Sequence, residues 1–407
     1  MADPRLARLP NESRGASGLV YVVWELTLRC DHACGHCGSR AGKARHDELS
    51  TDEALRVVSE LAALGAREVT LIGGEAYLRD DWTAIARAIT DAGMRCSMTT
   101  GGRGLSLERA RQAKEAGVRS ISVSMDGLAP AHDTLRGLEG SHAAALAAMR
   151  AIREVGIELS ANTQVNRLAL PDLEALVELF AAEGVRAWQV QLTVPMGRAA
   201  DRPEWLLQPY ELVGVYERLA KLVHRAKDLG IAFWPANNIG YYGPHEALFR
   251  GRGVHDDRVW GGCVAGKHAL GLESDGTVKG CPSLPTASYA SGNVRASSLA
   301  ALWDEAPALS FMREPARDRL WGYCADCYYA DVCNAGCTWT SHVFFGRAGN
   351  NPYCHHRALD HARRGLRERL VPSRPAPGSP FDHGTFTLAV EPASAPTPPT
   401  ARRLPVV

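Results

Sequence analysis

Between residues 20 and 235, this 407-residue chain alternates short β-branched runs with longer amphipathic stretches, and that alternation limits the folds open to it. Strands are predicted at 20–28, 67–72, 94–100, 118–124, 157–165 and 185–193. Helices are predicted near 51–65, 81–92, 106–116, 141–155, 172–183 and 209–229. Ser50-Thr51-Asp52-Glu53 reads as a capping box opening the first helix. Gly65, Gly93, Gly117, Gly156 and Gly184 each stand where a helix should end, because glycine enters the left-handed region without a Cβ clash. Strands alternating with helices argue for a parallel sheet with right-handed crossovers. Six such units predict an α/β fold, a partial (β/α)6 barrel of TIM type over 20–235, with its active site at the C-terminal strand ends. A doubly wound open sheet is the alternative.

Beyond 235 the periodicity fades. Residues 236–357 are rich in glycine, cysteine and aromatics and cannot build much core by burial, so metal centres are expected to staple them. A helix is predicted at 355–370, with 358–370 lying beyond the cysteine-rich region. Residues 371–407 hold nine of the 23 prolines and read as a mobile tail, although 384–390 has the alternation of an edge strand. Residues 1–19 form an N-terminal extension. With 46 basic and 45 acidic residues the net charge is +1, which gives no electrostatic footprint for a nucleic-acid backbone. Neither a membrane-spanning apolar run nor a signal-peptide core is present, so a cytoplasmic protein is expected, with no membrane partner.

Eleven cysteines in such a chain point to metal or cluster ligation rather than disulfides. Cys30, Cys34 and Cys37 form C-x₃-C-x₂-C just after the first strand. An iron–sulfur cube normally takes four thiolates, so three leave one iron open. A zinc ion would instead want a fourth protein ligand, which His32 or His36 could supply. Seven more cysteines lie between Cys263 and Cys354. Cys96 stands alone in the third strand, on one face with Met98 and Thr100. Buried cysteines usually pack as small hydrophobes; the alternative role is hydrogen-atom donor to a substrate radical.

The first cysteine motif resembles the signature of the radical SAM enzymes. Gly73-Gly74-Glu75, at the end of the second strand, is similar to that family's GGE motif. Thr99-Thr100-Gly101 and Ser124-Met125-Asp126-Gly127 follow at later strand ends, then Arg136. The resemblance implies a [4Fe–4S] cluster on Cys30, Cys34 and Cys37, with S-adenosylmethionine on its open iron. It places Glu75 on the methionine ammonium, with Gly73 and Gly74 letting the backbone approach closely. It places Ser124 and Arg136 toward the ribose and the methionine carboxylate, and Thr100 and Asp126 among the cofactor contacts. His36 stands where an adenine-stacking aromatic is usual. Asn162, Gln164, Asn166 and Gln191 give the later strands a polar face, as suits a barrel that holds a ligand.

The seven later cysteines resemble the SPASM domain, which carries two auxiliary iron–sulfur clusters. The resemblance assigns Cys324, Cys327, Cys333 and Cys354 to the outer cluster and Cys263, Cys281 and Cys337 to the inner one, three [4Fe–4S] clusters in all. Asp257 or His255 then completes the inner cluster, or one iron stays open. Trp321, Tyr323, Tyr328, Tyr329 and Trp339 are expected to shield the outer cluster.

The implied activity is that of a peptide maturase. It would reductively cleave S-adenosylmethionine to a 5′-deoxyadenosyl radical, take hydrogen from a ribosomally made precursor peptide, and form a carbon–carbon or thioether crosslink. An anaerobic sulfatase-maturing type is an alternative, although Pro282 stands where that type carries an aspartate as proton acceptor. A small-molecule radical SAM enzyme is another, and a zinc-stabilised, non-catalytic binding module is the alternative of a different class. Expected partners are the precursor peptide and an electron donor such as flavodoxin or ferredoxin. About twenty residues precede the barrel, so a separate leader-peptide-recognition protein is a further expected partner; segment 236–260 is the candidate for substrate contact.

Overall fold

The computed structural model describes residues 18–251, 259–314 and 317–395. Seven strands pair in parallel in sequence order: β1 (Tyr21–Glu25), β2 (Glu68–Ile72), β3 (Arg95–Thr100), β4 (Ser120–Ser124), β5 (Glu158–Val165), β6 (Ala187–Leu192) and β7 (Ala232–Pro235). The six expected strands are present, and β7 extends them. Its four residues, ending in proline, are too few to show a period. Between the strands run α1 (Thr51–Ala63), α2 (Trp82–Asp91), α3 (Leu107–Glu115), α4 (Ala129–Arg136), α5 (Ser141–Glu154), α6 (Leu173–Ala182) and α7 (Leu212–Asp228). Ser50 and Glu53 make the reciprocal capping bonds at α1. The five predicted helix-ending glycines all take positive φ, between +70° and +83°. Along β5 burial alternates strictly, and Val69, Leu71, Ile85, Ile89, Ile121 and Val123 are fully buried in one continuous core.

The cysteine-rich segment joins this sheet rather than standing apart from it. Strand β8 (Ala269–Leu272) pairs parallel with β1, and β9 (Val278–Lys279) pairs antiparallel with β8. The order is β7-β6-β5-β4-β3-β2-β1-β8-β9. Cys281 lies two residues past the end of β9, so the sheet fixes where this cysteine stands.

The C-terminal expectation needs correction. The last helix spans only His355–Arg363, and the chain then forms an antiparallel pair, β10 (Leu366–Arg374) with β11 (Thr385–Pro392). Alternation prevails over proline content here: Leu370 and Phe386 are buried, and the ladder shifts register between Pro372 and Arg374. Residues 396–407 lie outside the described residues. Among the described residues, no helix is long and apolar enough to cross a membrane.

Candidate active site

A cavity of about 300 Å³ opens at the C-terminal ends of β1 to β6. Cys30, Cys34, Cys37 and His36, from the loop after β1, line one side. The strand-end residues Gly73, Gly74, Glu75, Thr100, Ser124 and Asp126 line it too, as do Arg136 and Gln191. Asn162 and Gln164 complete its polar face. The two glycines have a reason other than ligand approach. A Cβ at Gly73 would fall 2.2 Å from the Thr27 carbonyl oxygen, and one at Gly74 would fall 2.1 Å from that of Arg29. They let β2 run against the cysteine loop.

The site's charges are held in place. Glu75 accepts from the Thr100 hydroxyl at 2.6 Å and from the Gly101 N–H at 2.7 Å. Burial nonetheless raises its carboxyl to about 7. Asp126 faces Arg136 Nη2 at 2.7 Å and His36 Nε2 at 3.0 Å. Burial opposes its ionisation, but the Arg136 guanidinium and the contact from His36 outweigh burial and hold Asp126 below the usual carboxylate range. His36 is anchored a second time, through Nδ1 to the Leu135 carbonyl at 3.0 Å.

None of the eleven cysteines forms a disulfide. Cys324, Cys327, Cys333 and Cys354 line one small cavity, with Tyr323 and Tyr329 at its wall. Cys263, Cys281 and Cys337 influence one another electrostatically. Burial raises the thiols of Cys34 and Cys281 to about 11 and that of Cys337 to about 12, so they ionise only when a metal takes the proton's place. Sulfurs around a zinc ion bound at ~2.3 Å lie about 3.8 Å apart. Among the described residues, the single group whose ligand atoms all lie within 4.8 Å is Cys30, Asp31, His32 and Glu75. That group takes one cysteine of the first set and none of the other two.

Several expectations fall differently. Asn166 lies just past β5 and is not among the residues lining this cavity: its Oδ1 accepts from the N–H groups of Leu168 and Ala169, and its Nδ2 donates to Thr193. These bonds shape a turn. Cys96 is fully buried among apolar side chains, its thiol raised to about 12, and it does not line the cavity. Packing, not hydrogen donation, is what its surroundings support. Tyr241 and Tyr242 of segment 236–260 wall the four-cysteine cavity rather than the barrel cavity. Trp339 does the reverse, facing the barrel cavity and donating to Met196 Sδ at 2.8 Å. Tyr328 is 89% exposed and shields nothing. His255 and Asp257 lie outside the described residues.

Among the lining residues that sequence reading missed are Glu25 and Phe381. Glu25 ends β1, and its signal was a carboxylate closing an apolar strand run at the catalytic end of a barrel. Phe381 comes from the β10–β11 loop, and no local pattern announces it. Its backbone takes φ +57°, a region bulky residues rarely occupy. Neighbouring Asp382 pins the loop through Arg40 Nε at 2.7 Å, beside the cysteine motif.

Residues 24–179 match the family model of the radical SAM superfamily, and residues 263–328 match that of SPASM, an iron–sulfur cluster-binding domain. The AdoMet-dependent heme synthase of Methanosarcina barkeri (strain Fusaro / DSM 804) is 30% identical over 347 residues, covering 83% of this chain and 96% of the relative. The PqqA peptide cyclase of Ruegeria pomeroyi is 30% identical over 350 residues, covering 84% and 88%. The crystal structure of Streptococcus suis SuiB bound to S-adenosylmethionine superposes with a TM-score of 0.64 at 16% identity, over 83% of this chain and 76% of that one. At that identity the likeness is one of fold.

Proposed function

This chain belongs to the radical SAM enzymes that carry a SPASM domain, and from that membership we propose that it matures a ribosomally synthesised peptide by forming a carbon–carbon or thioether crosslink. Its relatives divide between enzymes named for heme synthesis and enzymes named for peptide cyclisation or mycofactocin maturation. The charge of the cavity carries the choice. Among its described lining residues are three carboxylates, Glu25, Glu75 and Asp126, and a single guanidinium, Arg136, already engaged by Asp126 at 2.7 Å. Hemes carry propionate carboxylates, and a buried carboxylate needs a cation. With Arg136 assigned to the cofactor's methionine carboxylate, this lining has no second guanidinium or ammonium for a propionate. Amides at Asn162, Gln164 and Gln191, with apolar Met196, Trp339 and Phe381, suit a peptide's N–H, C=O and side-chain groups.

Bound at Cys30, Cys34 and Cys37, a reduced [4Fe–4S] cluster with S-adenosylmethionine supplies a carbon radical able to take a hydrogen atom. Within that reading, Glu75 receives the methionine ammonium and Arg136 the carboxylate. Thr100 and Gly101 keep Glu75 oriented, and Asp126 does the same for Arg136 and His36. Gly73, Gly74, Ser124 and Gln191 complete the cofactor walls. The four-cysteine and three-cysteine sites hold two auxiliary clusters that pass electrons. A cytoplasmic setting, a flavodoxin- or ferredoxin-like donor and a separate leader-binding partner belong to the same reading. The test is co-expression of the enzyme with each short open reading frame beside its gene. Mass spectrometry is expected to find one product lighter by two hydrogens per crosslink. Unchanged masses throughout, without deuterium uptake, would contradict peptide maturation.

A further inference from the structure

Among the lining residues of the cavity, Glu25 carries a buried carboxylate oxygen that the described residues leave without a partner. Glu25 is 2% exposed, and its Oε1 accepts from Arg45 Nη2 at 3.1 Å and from the Ser274 hydroxyl at 3.0 Å. Among the described residues its Oε2 has no hydrogen-bond partner, although Glu25 lines the cavity. An unsatisfied buried carboxylate oxygen costs stability, so its presence calls for an explanation. Every other charge around Glu25 is engaged. Glu273 binds Arg45 Nη2 at 2.7 Å and Lys279 Nζ at 2.6 Å, and Asp275 lies 3.9 Å from Arg45. Pro282 and Ser283, beside the inner-cluster ligand Cys281, line the same cavity and offer no carboxylate.

We propose that Glu25 Oε2 is the proton acceptor of the crosslinking step, facing the substrate on the inner-cluster side of the cavity. The inference rests on the peptide-maturation reading. In the step, a substrate C–H bond breaks homolytically and its hydrogen atom leaves with the adenosyl carbon. The new bond forms to a second atom, X, as the X–H bond breaks. The X–H proton passes to Oε2, and the remaining electron would go to an oxidised iron–sulfur cluster, which Cys263, Cys281 and Cys337 would hold. The substrate thus loses two hydrogens and gains one bond. Burial, the largest influence, raises the Glu25 carboxyl; Glu273 adds to this, and Arg45 and Ser274 oppose it. A carboxylate raised toward the working pH is a better proton acceptor.

Glu25→Gln keeps the amide oxygen that Arg45 and Ser274 need while removing the basic oxygen. With the holoenzyme and the precursor peptide that the wild type converts, crosslinked product per 5′-deoxyadenosine is expected to fall by about 10²-fold or more. Glu25→Asp should recover part of it. The wild-type ratio should fall as pH is lowered and Glu25 protonates, and the Gln variant should show no such dependence. In infrared difference spectra of the holoenzyme, a titrating carboxyl band should vanish in Glu25→Gln. An unchanged product ratio in Glu25→Gln would overturn the proposal and leave peptide maturation standing. A wild type that modifies no peptide would overturn both.

Discussion

Replacing Cys34 with alanine is expected to abolish reductive cleavage of S-adenosylmethionine, a loss of at least ~10⁶-fold toward the uncatalysed background. Cys34 lines the cavity and lies 3.8 Å from Arg136 Nη1. Burial holds its thiol at about 11 despite that guanidinium, so without iron it stays protonated. Removing it leaves two thiolates for a cube that already has one fewer than the usual four. Iron analysis of the reconstituted variant should fall by about four per chain, while the seven later cysteines keep theirs. Chromatography should detect no 5′-deoxyadenosine. Undiminished iron would mean that the first cysteine group holds no cluster.

Glu368→Ala is expected to cost about 3–5 kcal/mol of stability, because it strands a buried guanidinium. Glu368 lies on β10 and pairs with Arg357 through two bonds, at 2.6 and 2.7 Å. Both side chains are nearly excluded from solvent. Arg357 also donates to Asn350 Oδ1 at 2.6 Å and to the Asn351 carbonyl at 3.1 Å, and the Asn351 N–H points at Cys324 Sγ. The C-terminal hairpin therefore braces a loop beside Cys324, which the proposed function assigns to the outer cluster. Thermal denaturation should show the loss, with iron falling at that cluster before the others. Replacing both partners with apolar residues, Arg357→Met with Glu368→Leu, should recover much of the stability. A full-strength melting transition in Glu368→Ala would remove the hairpin from the account of cluster stability.

The parts of the molecule legible in its sequence were those with strong local period or spacing. Six strands showed because helices long enough to have a face lie between them, each closed by a glycine that takes positive φ. The cysteine groups showed because ligand spacing is local within each motif. Asn166 misled because the alternation of β5 runs one step past the strand, where the side chain turns back to cap a loop. The hairpin was obscured by its prolines, which stand at strand ends, in the loop or at the register shift. Trp339 and Phe381 reach the barrel cavity from far along the chain, and only tertiary packing brings them there. Glu25 lay in plain view, but its unpartnered oxygen is a property of the assembled site.

One assay bears most directly on the claim that this cavity performs radical chemistry on a peptide. The reconstituted enzyme, with reductant and S-adenosylmethionine, is offered its neighbouring precursor peptide or a carboxylated tetrapyrrole such as iron coproporphyrin III. We expect the peptide to be converted with one 5′-deoxyadenosine released per crosslink, and the tetrapyrrole to be left intact. Conversion of the tetrapyrrole with no change in the peptide would contradict the account.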